Sequence, residues 1–276
     1  VPLAGDALPR GTPGFEDNQK TSNYNPIISS SPLHGRNSDT MSIEKALEDI
    51  RRGKPILVYD FDDRERESDM TVASQFITFE TIRKMRKEAG GLICTTTPYA
   101  LAQKLGLPFM SDVFWDDCEK YPLLAMMAPT DIPYDRTKSS FGITINHRKT
   151  YTGITDKDRA LTIKAYADTI FQDKPLDDIR KDLAYNFRAP GHVHLLNTSE
   201  RILENRHGHT ELCTALMYMA GVKPSATICE MMGDDGGSMR KEDVMAYAEA
   251  NGITMVTGKE VEEAWAQYKA SRHPEQ

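Results

Sequence analysis

The chain has few cysteines, no excess of positive charge and no long apolar run. Its four cysteines, Cys94, Cys118, Cys213 and Cys229, are scattered without Cys-x-x-Cys spacing. That argues against a disulfide framework or a structural zinc site and fits reduced thiols in a cytosol. Lysine and arginine number 34 against 41 acidic residues, for a net charge of −7. A broad nucleic-acid-binding surface would be basic, so no nucleic-acid partner is expected. No apolar stretch approaches the roughly 18 residues that a membrane span requires. The N-terminus also lacks the apolar core of a signal peptide. A cytoplasmic protein without a membrane partner is expected. What is present is ordinary for a globular protein, 39% hydrophobic and 27% charged over 276 residues, which is enough chain to bury a real core.

Residues 1–40 are rich in Pro, Gly, Ser and Asn and show no sustained periodicity, so an irregular extension is expected before an ordered region at 41–276. The first residue is Val, so the native start is expected to lie elsewhere. Ile43, Ala46, Leu47 and Ile50 recur at helical spacing. Strands are predicted over 55–60, 91–94, 142–147, 192–196, 225–232 and 253–256. Helices are predicted over 79–88, 98–106, 156–168, 209–221 and 240–251, and at the C-terminus. Thr155 or Asp156 should cap the helix at 156. Four prolines in 107–138 predict a long irregular excursion. Strands and helices alternate without an internal repeat, as in a single α/β or α+β domain.

DFDDRERESD, residues 60–69, carries six carboxylates and two arginines directly after a predicted buried strand. A solvated charged loop is one reading. A site is the other, because strand ends are where such folds place them. If the stretch is extended, Asp63, Glu65, Glu67 and Asp69 share a face and repel one another unless a cation lies among them. Oxygen ligands without thiolate suit Mg²⁺ or Mn²⁺ over Zn²⁺, and one imidazole in the set favours Mn²⁺ slightly.

RHGHTE, residues 206–211, stands at the mouth of the predicted 209–221 helix. Unpaired amides and the positive end of the dipole make such a mouth an anion site. Gly208 permits close approach, and Arg206 can grip a phosphate with two hydrogen bonds. The alternative is an ordinary helix end capped by Thr210, with Arg206 on the surface. GHVH, 191–194, sets His192 and His194 on one face of a strand. His192 is either an acid–base group or a hydrogen-bonded structural histidine. Glu230 sits in an otherwise nearly uncharged strand, so it is either paired or shifted toward proton transfer. Cys94 and Cys229 read as core.

Together these stretches resemble one family, the 3,4-dihydroxy-2-butanone-4-phosphate synthases of riboflavin biosynthesis. DFDDRERESDM (60–70) is similar to the family's acidic loop, RHGHTEL (206–212) to its Arg-x-Gly-His-Thr-Glu segment, and ICEMMGDDGG (228–237) to its Cys-Glu segment and acidic-Gly turn. GITDKDRALTI and GLIC match in order, the likeness spans roughly 41–270, and the excursion at 107–138 with SSFGITINHRKTYTGIT (139–155) resembles archaeal members. The resemblance implies an α+β fold, a mixed sheet with helices packed around it in a single catalytic domain. It implies conversion of D-ribulose 5-phosphate to 3,4-dihydroxy-2-butanone 4-phosphate and formate. The implied cofactor is Mg²⁺, for which Mn²⁺ can substitute, with two ions per site in a homodimer whose subunits share active sites. Glu65 and His209 would ligate metal, with Glu67 near a second ion. Arg206, His207, Gly208, His209 and Thr210 would hold the substrate, and Arg64, Glu65, Asp69 and Glu230 would contact it. His192 and Glu230 would be the acid–base pair.

The chain departs from the family's pattern at Arg66, where a small or neutral residue is usual, and at Ser68, where Gly is common. His207 fills a variable slot. The length is expected to leave no room for a fused GTP cyclohydrolase II domain. Two rivals remain at this point. One is another metal-dependent phosphosugar isomerase or aldolase, and the other is a non-catalytic sugar-phosphate-binding paralogue.

Overall fold

A computed structural model of the chain describes residues 38–129 and 132–272. The expected extension lies outside the described residues except for 38–40, which open the first helix. Seven strands form one mixed sheet: β1 Ile56–Tyr59, β2 Ser68–Ala73, β3 Cys94–Thr97, β4 Phe141–His147, β5 Phe187–Asn197, β6 Ala226–Glu230 and β7 Thr254–Thr257. Their order is β4-β5-β3-β6-β2-β1-β7. The helices are α1 Ser38–Arg51, α2 Phe79–Lys84, α3 Tyr99–Leu105, α4 Met110–Asp116, α5 Pro122–Met127, α6 Asp156–Ile170, α7 Leu176–Asn186, α8 His209–Ala220, α9 Lys241–Asn251 and α10 Gly258–Arg272. None of the described helices is long and apolar enough to cross a membrane.

Alternation along the strands assigns the two faces of the sheet. Leu57, Met70, Val72 and Cys229 pack with Ile82, Ile163, Tyr166, Ile179 and Val244 in one core. Ile56, Val58, Ala73, Ile228 and Val256 pack with Ile43, Ala46, Ile50, Leu212, Leu216, Val261 and Trp265 in the other. Helices α2, α6, α7 and α9 therefore cover one face, and α1, α8 and α10 the other. Both faces are covered where β1 and β2 run, and these two strands are buried at every position.

Several expectations hold within a residue or two. The periodicity from Ile43 to Ile50 lies in α1, Thr155 caps α6 through Oγ1 accepting from the Asp158 amide at 3.2 Å, and the 209 helix closes at Gly221 with a left-handed φ of 69°. The helix expected over 79–88 is present, continuing after Lys84 as a π-helical turn, Met85–Ala89, that ends at Gly90. The excursion at 107–138 differs from expectation: it contains α4 and α5.

The largest difference is at the acidic stretch. It is no extended row: it turns back on itself and enters β2, which pairs antiparallel with β1 in the register Val58↔Asp69 and Tyr59↔Ser68. The reason is local. Buried Asp60 accepts from the amides of Glu65 at 2.9 Å and Glu67 at 3.1 Å, and Arg66 takes a left-handed φ of 61° to complete the return. Asp63 is thereby left exposed, away from Asp69.

Candidate active site

The return of the acidic loop brings it against the N-terminus of α8. The Glu65 carboxylate lies 3.1 Å from His209 Nδ1. His209 Nε2 is 3.3 Å from the Glu67 carbonyl oxygen and 3.8 Å from Asp69 Oδ1. Asp60, Glu65 and His209 each offer a ligand atom, and these atoms lie within 4.8 Å of one another. Asp60 joins this group where the sequence pointed to Glu67. The Glu67 side chain instead accepts from the Ser238 hydroxyl in the Gly-rich turn after β6.

The charges explain the arrangement. Burial opposes ionisation of Glu65, but His209 and Arg64 outweigh it and hold its pKa down at about 2. Burial also opposes a charged His209, and the carboxylates of Asp69, Glu65 and Asp60 prevail, raising it to about 9. Asp69 goes the other way. It is buried, its Oδ1 has no hydrogen-bond partner, and burial together with neighbouring carboxylates pushes it up to about 8 despite His209. A buried carboxylate with one oxygen free of hydrogen bonds, beside two more and an imidazole, is a donor set that a hard divalent cation fits.

Asp69 pairs directly with Glu230 across β2 and β6, so the two side chains share a face about 5 Å apart at Cβ. Glu230 ends β6, and its Oε2 accepts from the Leu92 amide at 2.7 Å. Burial and the Glu67 charge raise its pKa, against that hydrogen bond. Gly91 makes room for it: a Cβ there would stand 2.3 Å from Glu230 Oε2.

His192 lies on β5, which runs parallel to β3 with His194 opposite Cys94, while Cys94 also faces Ile228 of β6. Residues 189–192 bulge out of β5 between Arg188, opposite Asn146, and Val193, opposite Ile145, so His192 stands off the regular ladder. His192 is exposed. Its amide donates to Asn146 Oδ1 at 2.8 Å, so the amide NH₂ of Asn146 faces the ring Nδ1 at 3.1 Å. Nδ1 is therefore an acceptor, and the neutral ring carries its proton on Nε2. Its neighbour His194 packs against Phe141 with ring centroids 6.2 Å apart.

At the helix mouth the N-cap position is Gly208, and no side chain caps this end. Thr210 does not serve as the cap: it is buried inside the first turn. A Cβ on Gly208 would stand 2.2 Å from Arg206 Nη1 and 2.8 Å from Arg64 Nη2. Two guanidinium groups thus lie over the glycine, beside the open amides. Arg206 Nη1 meets Glu211 at 2.7 Å, and Arg64 Nη1 meets Glu65 at 2.8 Å. His207 turns outward, its ring against Glu262 of α10 and edge-on to Phe61.

Sequence reading missed Asp60 as a ligand candidate, Asn146, Gly91, Asp135 and Glu211. Glu211 was legible in principle, since a carboxylate inside an apolar helix needs a partner. Cys94 and Cys229 are buried with thiol pKa values raised by burial, in keeping with core positions.

The chain resembles proteins of one kind. The sequence profile of the 3,4-dihydroxy-2-butanone 4-phosphate synthase family matches residues 44–264. A 3,4-dihydroxy-2-butanone 4-phosphate synthase of Methanothermobacter thermautotrophicus is 45% identical over 83% of this chain and 97% of its own. That of Archaeoglobus fulgidus is 40% identical over 83% and 96%. A riboflavin biosynthesis protein of Staphylococcus epidermidis is 33% identical over 79% of this chain and 48% of its own. Among solved structures, the Candida albicans 3,4-dihydroxy-2-butanone 4-phosphate synthase superposes with a TM-score of 0.61 at 28% identity, covering 80% of this chain and 96% of its own.

Proposed function

The chain belongs to the 3,4-dihydroxy-2-butanone 4-phosphate synthase family, and we propose that it catalyses the reaction its resemblance implies, D-ribulose 5-phosphate to 3,4-dihydroxy-2-butanone 4-phosphate and formate, in riboflavin biosynthesis. The observation that carries this reading is the juxtaposition of the Asp60, Glu65 and His209 donor set with the raised carboxylates of Asp69 and Glu230.

In this reading Asp60, Glu65 and His209 hold Mg²⁺ or Mn²⁺, and Glu67, beside them, serves a second ion. A divalent cation held there supplies Lewis-acid polarisation of the sugar's carbonyl and hydroxyl oxygens. The remaining work belongs to the chain. The α8 amides with Arg206, Gly208, His209 and Thr210 bind the phosphate, His207 borders that segment, and Arg64 closes over it. Asp69 contacts the sugar. Glu230, its pKa raised by burial, takes a proton from carbon beside the carbonyl and returns it. His192, fixed by Asn146, presents its Nε2 proton from the open side.

A homodimer with shared sites and a cytoplasmic location are part of the same proposal. Exposed Trp115, Tyr121, Leu123, Met126 and Met127 offer apolar surface for a second copy, and light scattering measures the assembly.

The test is a formate assay with ribulose 5-phosphate and Mg²⁺, with and without EDTA, beside Glu230→Ala. Cation-dependent formate that the substitution abolishes is expected. Turnover without formate would point to an isomerase or aldolase, and binding without turnover to a non-catalytic paralogue.

A further inference from the structure

Asp135 lies in the segment between α5 and β4, with its side chain 7% exposed. Its two oxygens do different things. Oδ1 is held by its own turn, accepting from the Thr137 amide at 2.9 Å and from the Thr137 hydroxyl. Oδ2 faces the helix mouth, 3.0 Å from Arg64 Nη2 and 3.0 Å from Arg206 Nε. The Arg64 contact is a hydrogen bond, while the Arg206 contact is an ion pair off the hydrogen-bond line. Tyr134 lies under the Arg64 guanidinium, 5.7 Å from ring centroid to Cζ.

Two guanidinium groups crowded over Gly208 repel each other. Glu65 and Glu211 each steady one of them from the far side. Asp135 is the carboxylate that touches both. We propose that Asp135 is a positioning residue that clamps Arg64 and Arg206 side by side, aimed at a doubly charged phosphate at the α8 mouth. This rests on the reading of that mouth as the phosphate site.

The geometry gives the clamp a definite signature. A phosphate monoester gains from two convergent guanidinium groups in both the ground state and the transition state. Losing the clamp therefore weakens binding more than it slows chemistry. Asp135→Asn keeps the shape and the Thr137 contacts but removes the charge between the arginines. Asp135→Glu keeps the charge at a displaced position.

The experiment measures kcat and KM for ribulose 5-phosphate with Mg²⁺, and titrates inorganic phosphate by calorimetry, in wild type and both variants. Expected for Asp135→Asn is a KM raised roughly tenfold or more, with phosphate affinity falling in parallel and kcat within about threefold. Asp135→Glu should recover part of the phosphate affinity. A KM and phosphate affinity within about twofold of wild type in Asp135→Asn would overturn the clamp. Equal loss of kcat in both variants, with phosphate binding intact, would reduce Asp135 to a structural role. If Asp135→Asn does not fold, Asp135→Ala is titrated in its place, and a phosphate affinity within about twofold of wild type refutes the clamp. Failure of the functional reading looks different: wild type would then release no formate, and the phosphate titrations alone would settle Asp135.

Discussion

Asp60, Glu65, His209 and Asp69 have side chains 0%, 23%, 6% and 1% exposed and are bound into one another's fields, whereas His192, in the bulge of β5, is exposed and held through Asn146. The acidic side is held by contacts within the chain. Its carboxylates are fixed by backbone amides, by Arg64 and by the His209 imidazole. The histidine side is oriented but open. Groups that concentrate charge need burial and partners to stay in place, and groups that shuttle protons need access. The two sides should therefore answer differently to substitution, and four experiments can break or sharpen that contrast.

The largest effect is expected from Glu65→Gln. It removes a donor from the Asp60–Glu65–His209 set and the nearest counter-charge of His209. Formate release should fall by about a thousandfold, and Mg²⁺ should no longer raise the thermal midpoint. A variant that still gains stability from Mg²⁺ would place the cation elsewhere.

Next comes His192→Gln. In the acid–base role proposed for it, its loss should cost roughly a hundredfold in kcat. Because the ring is exposed, the melting temperature should stay within about a degree of wild type. A marked loss of stability would mean that the open side is structural after all.

The third prediction concerns pH in EDTA-treated protein. Asp69, raised to about 8, binds more protons folded than unfolded, so stability falls as pH climbs from its ordinary value near ~4 toward 8. His209, raised to about 9, stabilises fully below its ordinary value near ~6.5, and that contribution is lost as pH rises through 9. Both act in one direction between those ordinary and raised values, so the midpoint should drop from pH 6.5 to 9. Mg²⁺ should recover more at pH 8.5 than at pH 6, because fewer protons then compete for the donors. Scanning calorimetry across that range measures both slopes, and a flat metal-free profile would refute the charge balance drawn for the acidic side.

The smallest effect is a control remote from both sides. Thr155→Ala removes the cap of α6 and should cost about 1 kcal/mol of stability with kcat unchanged, as read by urea unfolding and the formate assay.

Much of this was legible in the chain. Ile43, Ala46 and Ile50 disclose α1 because one face of a surface helix must be apolar, and Gly221 marks the end of α8 because few other residues accept a left-handed φ. Glu230 stood out because charge in a nearly uncharged strand is either paired or shifted, His209 because it stands at a helix mouth, and Glu65 as a metal ligand only through the family resemblance. Strand β2 was not legible. It opens with Ser68 and Asp69, polar residues at the end of a charged run, and nothing local distinguishes a buried Asp69 from an exposed Asp63.

By itself the sequence determined the kinds of groups available, the periodicities that place them on strands and helices, and the motif that ties them to one family. Tertiary structure alone decided which of the loop's carboxylates meet, because Asp60 becomes central only once its burial turns it toward the amides of Glu65 and Glu67. It also decided that Asp135, 71 residues from Arg64 along the chain, stands between two arginines. The strength of a charge depends on what surrounds it in space, and a linear chain carries that information only after it has folded.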